Sequence, residues 1–123
     1  MMNWIIGPQL IGMIFLIVGF ISAKFPPKKI NPLYGYRTPS SMKNQQTWDE
    51  ANRFSSRYII KIGFVLIVIG LLTAFIFNAD IVPAKLEGLL RPVLLIGTAI
   101  ASAVILITAT EKHLSKTFDQ ETE

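Results

Sequence analysis

The sequence predicts an all-α integral membrane fold: three transmembrane helices, an amphipathic interfacial helix in the first cytoplasmic loop, the N-terminus outside and the C-terminus inside. Three observations predict it. The 12 Lys and Arg and 8 Asp and Glu residues avoid positions 1–23, 62–79 and 92–110 altogether. Each charge-free stretch is close to the roughly 20 helical residues that cross about 30 Å of hydrocarbon. Lys and Arg then gather almost entirely in segments that such spans place on one side of the bilayer. Finally, charged and apolar residues ahead of the second stretch separate with a helical period. A mean hydropathy of +0.48 is high for a single soluble domain of 123 residues, which agrees with burial in lipid.

The first span is read at 4–23. Pro8 falls in its first turns, where a missing N–H does little harm, and Pro26-Pro27 stops it. This segment lacks the cationic start of a secretory signal, and Ile21-Ser22-Ala23 is a poor cleavage match, so it is read as a retained helix. A cytoplasmic loop follows at 24–61, the second span at 62–79 and a short hydrophilic outer loop at 80–91. The third span is read at 92–110, with Pro92 suited to a first turn. The polar tail, 111–123, is expected to be mobile.

Orientation follows from the retention of Lys- and Arg-rich loops on the cytoplasmic side. Lys24, Lys28, Lys29, Arg37, Lys43, Arg53, Arg57 and Lys61 fall in the first loop, and Lys112 and Lys116 in the tail. Only Lys85 and Arg91 stand on the other side. The protein so described is a multi-pass protein of the cytoplasmic membrane, whose anionic inner leaflet is the expected partner of these cations. That partner suffices for the basic charge, so nucleic-acid binding is not expected.

Small residues recur along the spans: Gly12 and Gly19, Gly63 and Gly70, then Gly97 with Ala101. A seven-residue spacing keeps such positions near one helix face, where they let backbones approach closely within lipid. They are read as helix-packing positions, within the chain or in a homo-oligomer. The spans contain no ionisable side chain to relay protons or bind an ion, which argues against a pump or coupled transporter.

From Ser41 onward the loop reads as a helix running into the second span. Lys43, Gln46, Asp49, Glu50, Arg53, Arg57 and Lys61 share one face; Trp48, Ala51, Phe54, Ser55, Tyr58 and Ile59 share the other, with Asn44, Thr47 and Asn52 as polar exceptions. Such a helix suits the headgroup region, with Trp48 as an anchor. Ser40 or Ser41 could cap it; Thr47-x-x-Glu50 matches a capping box but lies too far inside to be the start. Pro39 disfavours helical geometry at Thr38. Residues 31–39 are therefore expected to form an irregular connector, with Gly35 marking a turn or a close backbone approach.

Asn31-Pro32-Leu33-Tyr34-Gly35-Tyr36-Arg37-Thr38-Pro39, followed by Trp48-Asp49-Glu50-Ala51-Asn52, resembles the signature of the SdpI family of bacterial membrane proteins, approximately N-P-x-x-G-x-R-T-P and then W-x-x-A-N. The resemblance is to the family's three-span core. It implies a non-enzymatic bacterial inner-membrane protein acting in immunity to membrane-active toxin peptides, or in signalling their presence through a cytoplasmic partner. The alternatives are an accessory subunit of a larger membrane complex and, with less support, a small passive channel.

The functional loop residues expected on this reading are Asn31, Pro32, Gly35, Arg37, Thr38, Trp48 and Asn52. A guanidinium at Arg37, beside a glycine turn and the Thr38 hydroxyl, can bind a phosphate or carboxylate bidentately, or hold backbone carbonyls. Asn31 and Asn52 can donate and accept to close the connector onto the loop helix. Ser40-Ser41-Met42-Lys43 contains S-x-x-K without its companion motifs, and is read as chance. Asp49 and Glu50 point apart on a helix and are read as balancing Arg53 and Arg57. His113 is the single histidine, and the chain has no cysteine, so no metal site, cofactor or catalytic constellation is expected.

Overall fold

The computed structural model describes residues 7–118. Three helices follow one another: α1 at Pro8–Lys24, α2 at Gln45–Asn78 and α3 at Ala84–Phe118. No strand occurs among the described residues. Of the first span read from the sequence, residues 4–6 lie outside the described residues.

α1 begins with Pro8 in its first turn and closes with the Phe25 N–H donating to Ile21 O at 2.8 Å, after which Pro26-Pro27 cannot continue it. α2 starts at neither expected serine. Its cap is Asn44, whose side-chain oxygen accepts from the Thr47 N–H at 2.8 Å. The serines are used in a separate turn: the Thr38 N–H donates to Ser41 Oγ at 2.8 Å and the Ser41 N–H to Thr38 Oγ1 at 3.2 Å. α2 ends at Ala79, whose N–H reaches back to Phe75 O and Ile76 O. Asp80 follows in the left-handed region at φ 56, a position that commonly ends helices.

The amphipathic segment runs into the second apolar stretch, as the sequence predicts. It is the first part of α2, continuous with the apolar part through 34 residues, or about 50 Å of helix. No proline breaks the ladder between them, and its apolar face is covered by protein: Trp48 and Ala51 are fully buried.

α3 likewise overruns its expected limits. It begins before Pro92, which lies inside it. The preceding turns are held by the Glu87–Arg91 ion pair at 2.6 Å and by the Arg91 guanidinium, 4.8 Å from the centre of the Phe77 ring on α2. Nor does α3 stop at residue 110, the expected end of the third apolar stretch. It runs to Phe118, with Thr110 and Leu114 buried, so the described part of the expected mobile tail is ordered helix.

α1 lies antiparallel along α2, and α3 packs chiefly on α2. At the α1–α2 crossing, a Cβ on Gly12 would sit 2.6 Å from Gly63 O, and one on Gly63 would sit 2.9 Å from Gly12 O. Further along, a Cβ on Gly19 would be 2.8 Å from Ile59 Cγ2, and one on Gly70 would be 2.5 Å from Gln9 N. By contrast, a Cβ at Gly97 or Gly88 would meet nothing within 4 Å, and Ala101 is exposed.

Burial is inverted relative to a soluble protein. The largest fully buried side chains are Trp48, Thr110 and Ser41, whereas Met13, Ile17, Phe20, Val65, Val68, Leu72, Phe75, Ile96, Ile100 and Val104 are exposed. Contiguous apolar surface of this extent is not left in water. α2 and α3 are long and apolar enough to cross a bilayer, and α1 is a shorter apolar helix. The chain has the character of a membrane protein.

Candidate functional site

Residues 25–44 fold over the polar half of α2 and reach α3. Two positions one helical turn apart on α2, Trp48 and Asn52, hold this connector from below. The Trp48 indole Nε1–H donates to Pro27 O at 2.7 Å. Asn52 uses both ends of its amide: Nδ2 donates to Trp48 O at 2.9 Å, and Oδ1 accepts from the Tyr36 N–H at 2.6 Å. Gly35, at φ +103, lies where a Cβ would stand 2.5 Å from Asn52 Oδ1 and 2.6 Å from Pro27 Cγ. The glycine is required twice over, by its backbone angle and by the closeness of the Asn52 amide. Trp48 is thus a buried prop under the connector, not an interfacial anchor, because its one donor is consumed by the protein.

Asn31 does not reach α2. Its Oδ1 accepts from the N–H groups of Leu33 and Tyr34 at 2.9 and 2.7 Å, and its Nδ2 donates to Lys29 O. It folds the Asn31-Pro32-Leu33-Tyr34 turn onto itself. Arg37 closes the same turn by donating to Pro32 O, with its side chain otherwise exposed. The Tyr34 hydroxyl ties the turn to the end of α1 by donating to Phe25 O at 2.6 Å.

On the far side the connector meets α3 at Glu111. This carboxylate accepts from three hydroxyls: Ser40 at 2.6 Å, Tyr36 at 2.9 Å and Thr38 at 3.0 Å. Burial, then the hydrogen bond to Glu111 and its negative charge, push the Tyr36 phenol well above its ordinary pKa of 10.0. Ser41, fully buried, donates within the turn to Tyr36 O and Thr38 O.

A second contact between α2 and α3 lies beside it. The His113 ring stacks on Phe54, with centroids 4.2 Å apart and planes at 10°, and its Nε2 is 2.6 Å from Glu50 Oε2. Glu50 also pairs with Arg53 at 2.5 Å. The Arg53 hydrogen bond, followed by that of His113, holds the Glu50 carboxyl below its ordinary range against the opposing effect of burial. His113 is therefore an interhelical stacking residue and not part of a frayed tail, and Glu50 faces α3 instead of water alone.

The structure brings together Gly35, Thr38, Trp48 and Asn52 of the expected loop residues, and places Asn31, Pro32 and Arg37 in the adjoining turn. Sequence reasoning missed Tyr36, Ser41, Glu50 as a bridge, and Glu111. Tyr36 stood at a variable position of the signature. Glu111 is the first charge after the third apolar stretch, indistinguishable in sequence from a solvated tail residue. Among the described residues no group of three or more metal-ligating side chains gathers.

No solved structure matches the chain. The protein YfhL of Bacillus subtilis strain 168, described as uncharacterized, is 48% identical over 61 residues, covering 50% of this chain and 56% of the relative. The immunity protein SdpI of the same strain is 37% identical over 60 residues, covering 49% of this chain and 28% of the relative. The matched stretch is thus little more than half of one relative's length and under a third of the other's. Residues 28–110, which contain all but the first three residues of the connector, the whole of α2 and most of α3, match the SdpI/YfhL protein family, and the chain belongs to that family.

Proposed function

We propose that this chain is a non-enzymatic, multi-pass protein of the bacterial cytoplasmic membrane, with three spans and the connector on the cytoplasmic side, that confers immunity to membrane-active toxin peptides or signals their arrival. A toxin peptide contacts the lipid-facing sides of the helices, and a cytoplasmic protein partner reads the connector. The observation that carries this reading is the clamp: the signature residues Asn52 and Trp48 tie the connector to α2, and the signature residue Thr38, with Tyr36 and Ser40 beside it, ties it to Glu111 of α3. Any displacement of α3 against α2 must break hydroxyl contacts to Glu111, which makes the connector sensitive to the packing of the spans. A relative named as an immunity protein and the concentration of cations at the connector end of the bundle support the same reading.

The test is survival of a toxin-sensitive bacterium challenged with a panel of membrane-active peptides. Cells express the wild type, Asn52→Ala, Glu111→Ala, Arg37→Ala or an empty vector, at matched membrane levels. Protection by the wild type and its loss in Asn52→Ala and Glu111→Ala is the expected result. Absence of protection against every peptide would transfer support to a second reading, an accessory subunit of a larger membrane complex. The open space beside Gly88 and Gly97 on α3 favours that alternative, and a stoichiometric partner on purification would establish it.

A further inference from the structure

Where α1 ends, a half-open cleft of about 420 Å³ separates the start of the connector from α2. Its size falls in the roughly 300–1,000 Å³ range of small-molecule sites. Ser22 and Ala23 form one side, Pro27 and Lys28 the roof, and Arg53 and Arg57 the α2 wall. Asp49 is the single carboxylate in the lining, against the three cations Lys28, Arg53 and Arg57.

The hydrogen-bonding groups around the cleft are unequally engaged. The carbonyls of Pro27 and Lys28 already accept from Trp48 Nε1 and Gln45 Nε2, at 2.7 and 2.5 Å. Asp49 accepts from Gln45 Nε2 at 2.8 Å, and Arg53 is held by Glu50. Among the described residues, Lys28 and Arg57 have no ion-pair partner. What the cleft offers is therefore an excess of cations over its one carboxylate, with Lys28 and Arg57 free of ion pairs, a combination suited to an anion.

Its depth narrows the choice of anion. A Cβ on Gly19 would lie 3.3 Å from Ser56 O, so Arg57 stands beside the last turns of α1, next to the plane at which the apolar surface gives way to Lys24. In a membrane-spanning chain that plane holds lipid headgroups, and long basic side chains direct their charge to it.

We propose that this cleft binds a phosphate group, such as the phosphodiester of an anionic phospholipid headgroup or inorganic phosphate, with Arg57 and Lys28 as its ligands. Nothing in the proposal depends on toxin immunity, so its failure and the failure of that reading are separable. The experiment is native mass spectrometry of the purified full chain in detergent, titrated with phosphatidylglycerol, with phosphatidylcholine or with inorganic phosphate. One phosphatidylglycerol per chain should bind about tenfold more tightly than phosphatidylcholine, whose choline cation competes with the protein's own. Lys28→Gln and Arg57→Gln should each remove most of that preference, Arg57→Lys should keep part of it, and Lys85→Gln, at the opposite end of the bundle, should leave it intact. Should Arg57→Gln fail to fold, Lys28→Gln in the exposed connector carries the test. Displacement of the lipid by micromolar inorganic phosphate would keep the site and assign it a soluble occupant. Equal binding of the two lipids without phosphate binding, or undiminished phosphatidylglycerol binding when Lys28→Gln and Arg57→Gln are combined, would overturn it.

Discussion

At the scale of single residues, Gly35 governs how closely the connector lies on α2. Gly35→Ala is expected to destabilise the protein by about 1–3 kcal/mol, because the new Cβ meets both the Asn52 amide and the Pro27 ring in a backbone region side chains rarely adopt. Thermal unfolding in detergent checks it, and an unchanged midpoint would mean the connector is not seated as described. Tyr36 makes a pH-dependent prediction. Its folded pKa lies above the unfolded value of 10.0, so folding favours the neutral phenol. That contribution is fully present below about pH 10 and is lost as pH rises toward the folded pKa. Tyr36→Phe, which loses the hydroxyl donor to Glu111, should be less stable than the wild type near neutrality, with the difference narrowing in alkaline buffer. Glu50 has the opposite sign: its folded pKa is lowered from 4.5, so its contribution stands above that value and is lost as pH falls through the folded pKa.

At the scale of helices, the packing of α1 on α2 depends on reciprocal contact at Gly12 and Gly63, where a side chain on either meets the other's carbonyl within 3 Å. Gly12→Val or Gly63→Val is expected to force the pair apart and lower stability by roughly 1–3 kcal/mol. Gly88→Ala and Gly97→Ala, which meet open space within the chain, should be neutral or stabilising by up to about 1 kcal/mol, since alanine is the better helix former. Denaturation of the four variants in one detergent separates the two classes. If Gly97→Ala instead proved as damaging as Gly63→Val, that face of α3 would have to be covered by another chain. Small residues recur on one face in all three spans, seven apart in the first two and four apart in the third, yet only the glycines facing a neighbour are in contact. Periodicity identifies a face; it does not identify what lies opposite.

At the scale of the whole molecule, the three helices form an antiparallel bundle whose two longer members project past the apolar belt at the connector end. There the connector, the first turns of α2 and the last turns of α3 make a polar subassembly built on Trp48, Asn52 and Glu111. The absence of native cysteine makes the topology directly testable. In intact cells, Met42→Cys and Lys116→Cys should resist a membrane-impermeant thiol reagent until the membrane is opened, while Lys85→Cys should react at once. The reverse pattern would invert the bundle and place the connector outside.

The sequence by itself determined the helical class, the apolar stretches and the family signature, because hydropathy, charge placement and short motifs are local properties. It also marked Gly35, Asn52 and Trp48, but not their common purpose. Only the tertiary structure decided that Trp48 props the connector instead of anchoring in lipid. The same holds for Asn44 as the cap of α2, for Pro92 lying within a helix, and for the polar tail continuing α3. The cap is local, since Asn44 accepts from the Thr47 N–H, but the others turn on partners distant in the chain: Pro27 for Trp48, the Tyr36, Thr38 and Ser40 hydroxyls for Glu111, Phe54 for His113. A solvated carboxylate and a clamped one have the same letter in the sequence, and what distinguishes them is the set of donors that folding brings within about 3 Å.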